Sequence, residues 1–284
     1  MLKGIVFQLI SVLAFSCSNV LWRKLSGKLI VSKAIFFRTL FTVSFFTIIN
    51  FAINDTSKNL SFSLIAFAFC ISCLSYFGLY FYNKALQYAP TGMVSTVVTF
   101  SFITGQLTAL FLGEAFSKGI LFSFILCIAG IAVSDSASIQ KYKLNKGTLY
   151  ALCAAIIWGV TLTLLSIPAK AIGAYKTGLI LEIAVLVMSF CQFKIAHKGK
   201  FMREEFTANL PVFALLAVFA TVGVLFLNLS FTQIPAYITA GLSSIGHIIT
   251  IILAYIFYKE KMTNRQLIGS FICMVAIFIL FYQL

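Results

Sequence analysis

The side chains of this sequence that can bind or carry charge lie inside long apolar runs. His247 stands in the middle of one such run, one turn after Ser243 and Ser244. A histidine ordinarily titrates at about pH 6.5, so His247 can bind a carboxylate or carry a proton. Polar side chains in apolar runs are costly in a membrane and usually face the interior of a helix bundle. We therefore predict that Ser244 and His247 bind a small polar molecule; a neutral histidine that hydrogen-bonds only within the bundle is the alternative.

Two asparagines occupy matching positions in two similar runs. Tyr80 and Asn83 share one helix face with Tyr76, because their spacing follows the helical repeat. Asn228 is the counterpart of Asn83 in the second run. The two amides can hydrogen-bond an amine or a carboxylate, which predicts a binding site that includes Tyr80, Asn83 and Asn228. Equally, they can tie neighbouring helices together.

Asn19 and Gln106 are two further polar side chains within apolar runs. Asn19 lies deep in the first run and has the same two interpretations as the other asparagines. Gln106 shares a helix face with Thr99 and Phe102, which suits the wall of a pocket. We predict that both residues contribute to the binding site.

Arg38 and Glu182 are charged residues within apolar runs, and they stand at equivalent positions of two similar halves of the chain. If the second half is inverted, their side chains fall near opposite faces of the membrane, and each reaches its own interface. The sequence thus predicts two separate anchors rather than an ion pair. A proton carrier is the alternative role for Glu182.

Glu114 and Glu260 each close an apolar run. Lys118 follows the first, and Lys259 and Lys261 flank the second. A carboxylate beside lysines at the end of a membrane helix predicts an interfacial salt bridge or a contact that gates access to the interior.

No set of residues has the spacing of a catalytic or cofactor site. The chain has two histidines, and no cluster of His, Cys and Asp has metal-ligand spacing. A glycine-rich phosphate loop is also missing, so ATP does not drive the protein directly. The seven cysteines lie in apolar runs and are predicted to pack as small hydrophobic groups, including the CxxC of Cys70 and Cys73. We expect no cofactor, no metal and no enzymatic activity.

The elements that position these side chains are predicted to be membrane-spanning helices. The 284 residues are 61% hydrophobic and 10% charged, whereas soluble domains carry about 25% charged residues. Runs of about 20 apolar residues cross a bilayer, and helices satisfy their backbone groups there. The sequence predicts an all-α integral membrane protein with ten spans, at residues 3–22, 31–53, 61–83, 91–112, 118–135, 147–167, 176–196, 209–231, 235–257 and 264–283.

The ten spans divide into two similar sets of five. Gly78 matches Gly223 at the same offset by which Asn83 matches Asn228. An odd number of spans in each copy inverts the second copy, an arrangement typical of transporters with a central site between the halves. We predict repeats at 1–136 and 146–284, with the boundary in the polar, basic stretch between them. The first run imitates a secretory signal, but its counterpart in the second repeat favours a retained span.

The distribution of charge predicts the orientation. The formal net charge is +14, and most lysines and arginines lie in the loops that follow odd-numbered spans. The positive-inside rule places those loops in the cytoplasm and both termini outside. No basic run is interleaved with exposed aromatic residues, so we expect the basic residues to contact anionic membrane lipids and not nucleic acid.

Several stretches of the sequence resemble a known family. Residues 83–90, Asn-Lys-Ala-Leu-Gln-Tyr-Ala-Pro, followed by a span that ends Leu-Gly-Glu at 112–114, resemble the signature of the EamA family of the drug/metabolite transporter superfamily. In the second half, residues 149–160 resemble the family's sixth span, and residues 258–261 resemble its second Glu-bearing span end. The resemblance covers essentially the whole chain.

This resemblance implies a basket of ten helices that works by alternating access around a pocket lined mainly by spans 1, 3, 4, 6, 8 and 9. It favours a place in the pocket for Trp158, which can otherwise fill the core. The sequence departs from the family where relatives often carry a proline within spans 4 and 9, because Ser101 and His247 stand there. Relatives are also usually drawn with both ends in the cytoplasm.

The predicted function is secondary active transport. The resemblance implies efflux of amino acids or similar small polar metabolites across the bacterial inner membrane. We predict export or exchange by a monomer or homodimer, coupled to the proton gradient or to substrate exchange. Drugs, nucleotide-derived metabolites or lipid-linked intermediates are the alternative cargo. A membrane scaffold or an intramembrane enzyme is the alternative outside transport. An enzyme would need clustered catalytic side chains, and a scaffold would not need a repeated pair of polar spans.

Overall fold

The structure is a computed structural model, and it describes residues 1–53, 61–114, 119–134, 145–197 and 203–282. Within these ranges all regular secondary structure is α-helical, and no β-strand occurs. In chain order the helices are α1 (Leu2–Leu25), α2 (Val31–Ile53), α3 (Phe62–Tyr88), α4 (Thr91–Val98), α5 (Ser101–Phe111), α6 (Gly119–Ser134), α7 (Lys146–Leu164), α8 (Ser166–Ile172), α9 (Ala174–His197), α10 (Arg203–Phe231), α11 (Ala236–Ser243), α12 (Ile245–Tyr258) and α13 (Asn264–Tyr282).

Eight segments of the described chain are long and apolar enough to cross a membrane. Five lie within single helices, α1, α2, α3, α9 and α10, and three join consecutive helices, α4 with α5, α7 with α8, and α11 with α12. The helices α6 and α13 have 16 and 19 residues. The prediction of an all-helical, multi-pass membrane protein is therefore confirmed. Lys118 and most of the stretch between the predicted repeats, residues 135–144, lie outside the described residues.

Two of the joined segments are interrupted beside a hydroxyl side chain that bonds to its own helix, and neither interruption contains a proline. Helix α4 ends just before Thr99, whose hydroxyl donates to the carbonyl of Ser95 (3.1 Å). Helix α11 ends just before Ser244, whose hydroxyl donates to the carbonyl of Gly241 (2.5 Å). Such bonds compete with the backbone hydrogen bonds of a helix and often bend it. Both segments thus break near their middle without a proline at the break.

The packing between the two halves of the chain is symmetric. Helix α1 packs on α10 in the way that α7 packs on α3, and α2 packs on α10 in the way that α9 packs on α3. Helix α5 packs on α7 in the way that α12 packs on α1, and the contacts of α2 with α9 and of α6 with α13 join equivalent helices. Exchanging the halves therefore reproduces this set of helix pairs, and the space at its centre is bounded by both halves alike.

Candidate functional site

A central cavity of about 150 Å³ lies between the two halves. Nine helices contribute to it: α1, α2, α3, α5, α7, α9, α10, α11 and α12. The predicted spans 1, 3, 4, 6, 8 and 9 all take part, and spans 2 and 7, which the sequence did not assign to the pocket, take part as well. Most of the lining is apolar, and the polar lining consists of Ser16, Asn19, Arg38, Ser75, Ser101, Glu182, Ser243 and His247.

Arg38 and Glu182 form a buried ion pair in this cavity, so the prediction of two separate anchors was wrong. Arg38 Nη1 and Nη2 each donate to one oxygen of the Glu182 carboxylate, both at 3.1 Å. Arg38 is 5% exposed and Glu182 is 0% exposed. A pair with this geometry links the two halves of the chain at the cavity wall.

The depth of the two residues explains the error. Arg38 lies seven residues into α2 and Glu182 eight residues into α9, counted from Val31 and Ala174 (38 − 31 and 182 − 174). At 1.5 Å per residue each is about 11–12 Å from its helix start, and the middle of a bilayer core lies about 15 Å from its edge. A contact at this depth is consistent with equivalent positions of two inverted copies that meet near the middle of a bilayer.

Two threonines hold the ends of the pair. Thr42 Oγ1 donates to Glu182 Oε2 (2.8 Å), and Arg38 Nη1 donates to Thr39 Oγ1 (3.3 Å). The Nε of Arg38 is buried and has no hydrogen-bond partner among the described residues. The pair is thus bonded on both sides and still has one donor unused.

His247 lines the cavity from the first turn of α12. Its Nδ1 is buried and has no hydrogen-bond partner in the described part of the chain. Ser244, which was predicted to join it, is not in the cavity lining, because its hydroxyl bonds within its own helix turn; the neighbouring Ser243 takes that place. Asn19 also lines the cavity, on α1.

Gln8 is a polar residue near this site that the sequence reasoning missed. Its Nε2 donates to Ser243 Oγ (2.8 Å), and its Oε1 accepts from Ser230 Oγ (2.9 Å). Gln8 is 1% exposed, and its side chain joins α1 to α10 and α11. A glutamine within the first apolar run was the signal that could have identified it.

Two aromatic rings at equivalent positions form walls of the cavity. Trp158 of α7 lies against Gly78 of α3, and Phe15 of α1 lies against Gly223 of α10. A Cβ added at either glycine would come within 2.8 Å of the ring. The repeated glycines therefore make room for an aromatic side chain from the other half, and the structure places Trp158 in the pocket wall.

The other predicted binding residues do not line the cavity. Asn83 Nδ2 donates to the carbonyl of Leu79 and Asn228 Nδ2 to that of Val224, both at 2.9 Å and one turn earlier in the same helix. Gln106 Nε2 donates to the carbonyl of Tyr237 (2.6 Å) and ties α5 to α11. Tyr80 lines a separate cleft of about 430 Å³, next to the loop before α2, together with Lys28 and Lys84.

Glu114 and Glu260 cap helices of the opposite half. Glu114 accepts from the backbone N–H groups of Ala236 (3.1 Å) and Tyr237 (2.9 Å), at the start of α11. Glu260 accepts from the N–H (2.8 Å) and the hydroxyl (3.1 Å) of Thr91, at the start of α4. A carboxylate is favourable at a helix N-terminus. Glu114 thus joins the end of the α4–α5 segment to the start of α11–α12, and Glu260 joins the end of α11–α12 to the start of α4–α5.

Glu260 also makes the interfacial salt bridge that was predicted for it, but with a different partner. Arg23 Nε lies 3.0 Å from Glu260 Oε1, and Arg23 Nη1 donates to the carbonyl of Leu86 (2.5 Å). The lysines on either side of Glu260 in sequence are not its partners in this ion pair. The predicted lysine contact is therefore corrected to an arginine contact from α1.

Comparison with known proteins agrees with this arrangement. The model of the EamA-like transporter family matches twice, at residues 2–134 and 145–282. Among 28 matching chains of solved structures, one described only as a crystal structure of a protein has a TM-score of 0.67, with 14% identity over 98% of this chain and 96% of its own. At that identity the likeness concerns the fold alone. No curated protein matches.

Proposed function

The chain belongs to the EamA-like transporter family, and from this premise we propose that it moves small polar metabolites, amino acids first among them, across the bacterial inner membrane by alternating access. Transport is secondary, as efflux or exchange. The observation that carries the proposal is the cavity between the halves, which combines a buried ion pair with apolar walls.

The proposed architecture is ten spans in two inverted repeats, at 1–136 and 146–284. Support comes from the two family matches, from the symmetric helix pairs, and from the presence of α6 and α13 in the places of the fifth and tenth spans. In such transporters one half rocks against the other around a site near the membrane midplane.

The proposed binding residues are those with side chains in the cavity wall: Asn19, Trp158 and His247, with Ser243 in the place of Ser244. Arg38 and Glu182 contribute the charge. Glu182 is also the proposed proton carrier if transport is coupled to the proton gradient, because an intramembrane carboxylate with a defined partner is the usual element of a proton relay.

The proposed gates are the two carboxylate caps. Each glutamate follows the end of a helix in one half and binds the start of a helix in the other half. The two contacts lie at opposite ends of the α4–α5 and α11–α12 segments. Opening the cavity to one side separates the helices on that side. One cap is then lost while the other is kept.

Transport by proteoliposomes tests this proposal. A labelled panel of amino acids, amines and nucleotide metabolites is offered with and without an imposed pH gradient. Saturable uptake of at least one compound by wild type is expected. His247→Ala should lower it, whereas Ser44→Ala, which removes an exposed hydroxyl outside the cavity, should not. A folded, reconstituted protein that moves no compound of the panel would contradict the proposal.

A further inference from the structure

The ion pair in the cavity offers both charges that a zwitterion needs. Arg38 and Glu182 come from different halves of the chain and line the same cavity. We propose that the pair is a divided receptor: the carboxylate of a zwitterionic substrate binds Arg38, its ammonium group binds Glu182, and the direct pair opens as the substrate enters. This inference rests on the proposed transport function and names the substrate class and its two charged ligands.

The bonding of the pair suits such an exchange. The Nε of Arg38 is buried without a hydrogen-bond partner in the described ranges, so the guanidinium has a donor available for a carboxylate. Thr39 accepts from Arg38 and Thr42 donates to Glu182. Each charged group therefore keeps a bond to α2 when the direct pair is open.

Charge balance selects the zwitterion. The pair has no net charge, and both members are buried. A ligand with only a carboxylate or only an ammonium group would satisfy one member and leave the other as an unpaired buried charge, which is strongly unfavourable. A zwitterion replaces one ion pair with two and leaves the total charge of the cavity unchanged.

Other contacts also join α2 to α9, so the ion pair between Arg38 and Glu182 is not the only interaction that connects these helices. Phe46 of α2 lies directly against Gly178 of α9. Asn50 Nδ2 of α2 donates to the carbonyl of Tyr175 of α9 (3.1 Å). Replacing a buried ion pair with well-packed hydrophobic residues of similar volume is often harmless to stability. The contact between α2 and α9 therefore does not depend on the ion pair alone.

The walls limit the rest of the substrate to a small apolar group. Phe15, Trp158, Leu181 and Val185 contribute to the lining. The cavity volume of about 150 Å³ is similar to that of an apolar cavity that takes up benzene. An amino acid with a small apolar side chain, of the size of alanine or valine, combines the required charges with a body that fits these walls.

Binding to the full-length protein in lipid nanodiscs tests the receptor. The twenty proteinogenic amino acids are screened by thermal stabilisation, and the best ligand is titrated calorimetrically beside its amide and its deaminated acid; for L-valine these are valinamide and 3-methylbutanoate. The wild type should bind the amino acid at least about tenfold more tightly than either analogue, as the loss of a charged hydrogen bond implies.

A double variant separates a receptor from a structural pair. Arg38→Gln/Glu182→Gln leaves no unpaired charge, so it should keep the melting temperature of the wild type and lose at least about tenfold in affinity for the amino acid. The matched control is Lys33→Gln/Glu205→Gln, which neutralises an ion pair between α2 and α10 outside the cavity lining. The control should bind as the wild type does.

Further variants and outcomes keep the inference open to refutation. Glu182→Gln leaves Arg38 with its charge and should bind the deaminated acid more tightly than the wild type does. Retained amino-acid affinity in a folded Arg38→Gln/Glu182→Gln protein would overturn the receptor, and so would equal affinity of the wild type for the amide. Transport of a compound with fewer than two charges, with no amino acid bound, overturns the receptor and leaves the transporter. Amino-acid binding without transport would support the receptor and contradict the proposed transport function.

Discussion

Among single residues, His247 differs from Asn83, Gln106 and Asn228 because it lines the cavity. Asn228 Oδ1 also has no hydrogen-bond partner within the described ranges, but Asn228 lies outside the cavity lining. The side-chain amides of Asn83 and Asn228 donate to carbonyl groups of their own helices, and that of Gln106 donates to the carbonyl of Tyr237. His247 lines the cavity, and its Nδ1 has no partner within the described residues. An unpaired buried polar atom is unfavourable, so we expect the substrate to supply the missing partner.

Replacement of His247 should therefore impair transport more than replacement of an asparagine outside the cavity. His247→Ala is expected to lower kcat/KM about tenfold or more, equivalent to a hydrogen bond of about 1.5 kcal/mol. Asn83→Ala removes a bond within α3 and should change kcat/KM by less than about threefold. Initial rates in proteoliposomes measure both. A larger loss for Asn83→Ala would return that residue to the binding site.

Sequence patterns identify which polar side chains face inward, but not where their hydrogen bonds end. The helical spacing that grouped Asn83 with Tyr80 is correct for the helix, yet the amide bonds back to Leu79, one turn earlier. The equivalence of Arg38 and Glu182 is also readable from the sequence. Their contact depends on depth in the membrane, which is fixed only when the helix starts and the packing of α2 on α9 are known.

Among elements, two kinds of contact join the helices of opposite halves, and both recur in symmetric pairs. The first is an aromatic ring against a glycine, and the second is a carboxylate on a helix N-terminus. The sequence shows the repeated glycines and glutamates. It does not show their partners, because each partner is supplied by the other half.

The glycine contact predicts a loss of stability when the space is filled. Gly78→Ala places a Cβ 2.5 Å from Trp158 Cδ1, and overpacking of this kind costs about 1–3 kcal/mol. The control is Gly92→Ala, which meets the flexible side chain of Met262 at 3.0 Å and should change stability by less than about 1 kcal/mol. Thermal unfolding in detergent compares them. An unchanged melting temperature for Gly78→Ala would contradict close packing of the Trp158 ring on Gly78.

The carboxylate caps predict gates that act on one side each. Glu114→Gln and Glu260→Gln weaken the cap at opposite ends of the same segments, because an amide lacks the charge that favours a helix N-terminus. Each variant should raise the exposure of the cavity to its own side. Glu260→Gln should have the larger effect, since it also removes the partner of Arg23.

Thiol labelling measures that exposure. Ser101→Cys places a reporter in the cavity lining, in a protein whose seven native cysteines are replaced. A membrane-impermeant maleimide, applied to intact cells and to inverted vesicles, should react faster from the Glu114 side in one variant and from the Glu260 side in the other. Equal acceleration from both sides in either variant would contradict separate gates.

For the whole molecule, the repeat that is visible in the sequence accounts for most of the architecture. The two family matches, the paired glycines and the paired glutamates all follow one offset with small slips. The symmetric packing of the helices agrees with it. The interruption of α4–α5 and α11–α12 was not predicted, because hydroxyl groups that bond to their own helix are ordinary in apolar runs and give no distinct signal.

Because the two halves pack symmetrically, the orientation of the molecule in the membrane is predicted from the distribution of its charges. Arg23, Lys28 and Lys84 lie at the end of the bundle that Glu260 caps, and Lys176 lies at the other end. Basic loops are retained in the cytoplasm, so the Glu260 end is expected to face inward. Intact cells should label Lys176→Cys with an impermeant maleimide and protect Lys28→Cys, in the same cysteine-free background. The reverse labelling pattern would place the Glu260 gate at the exterior and the Glu114 gate at the cytoplasm. It would not change the cavity or its ion pair, because neither depends on the orientation of the molecule in the membrane.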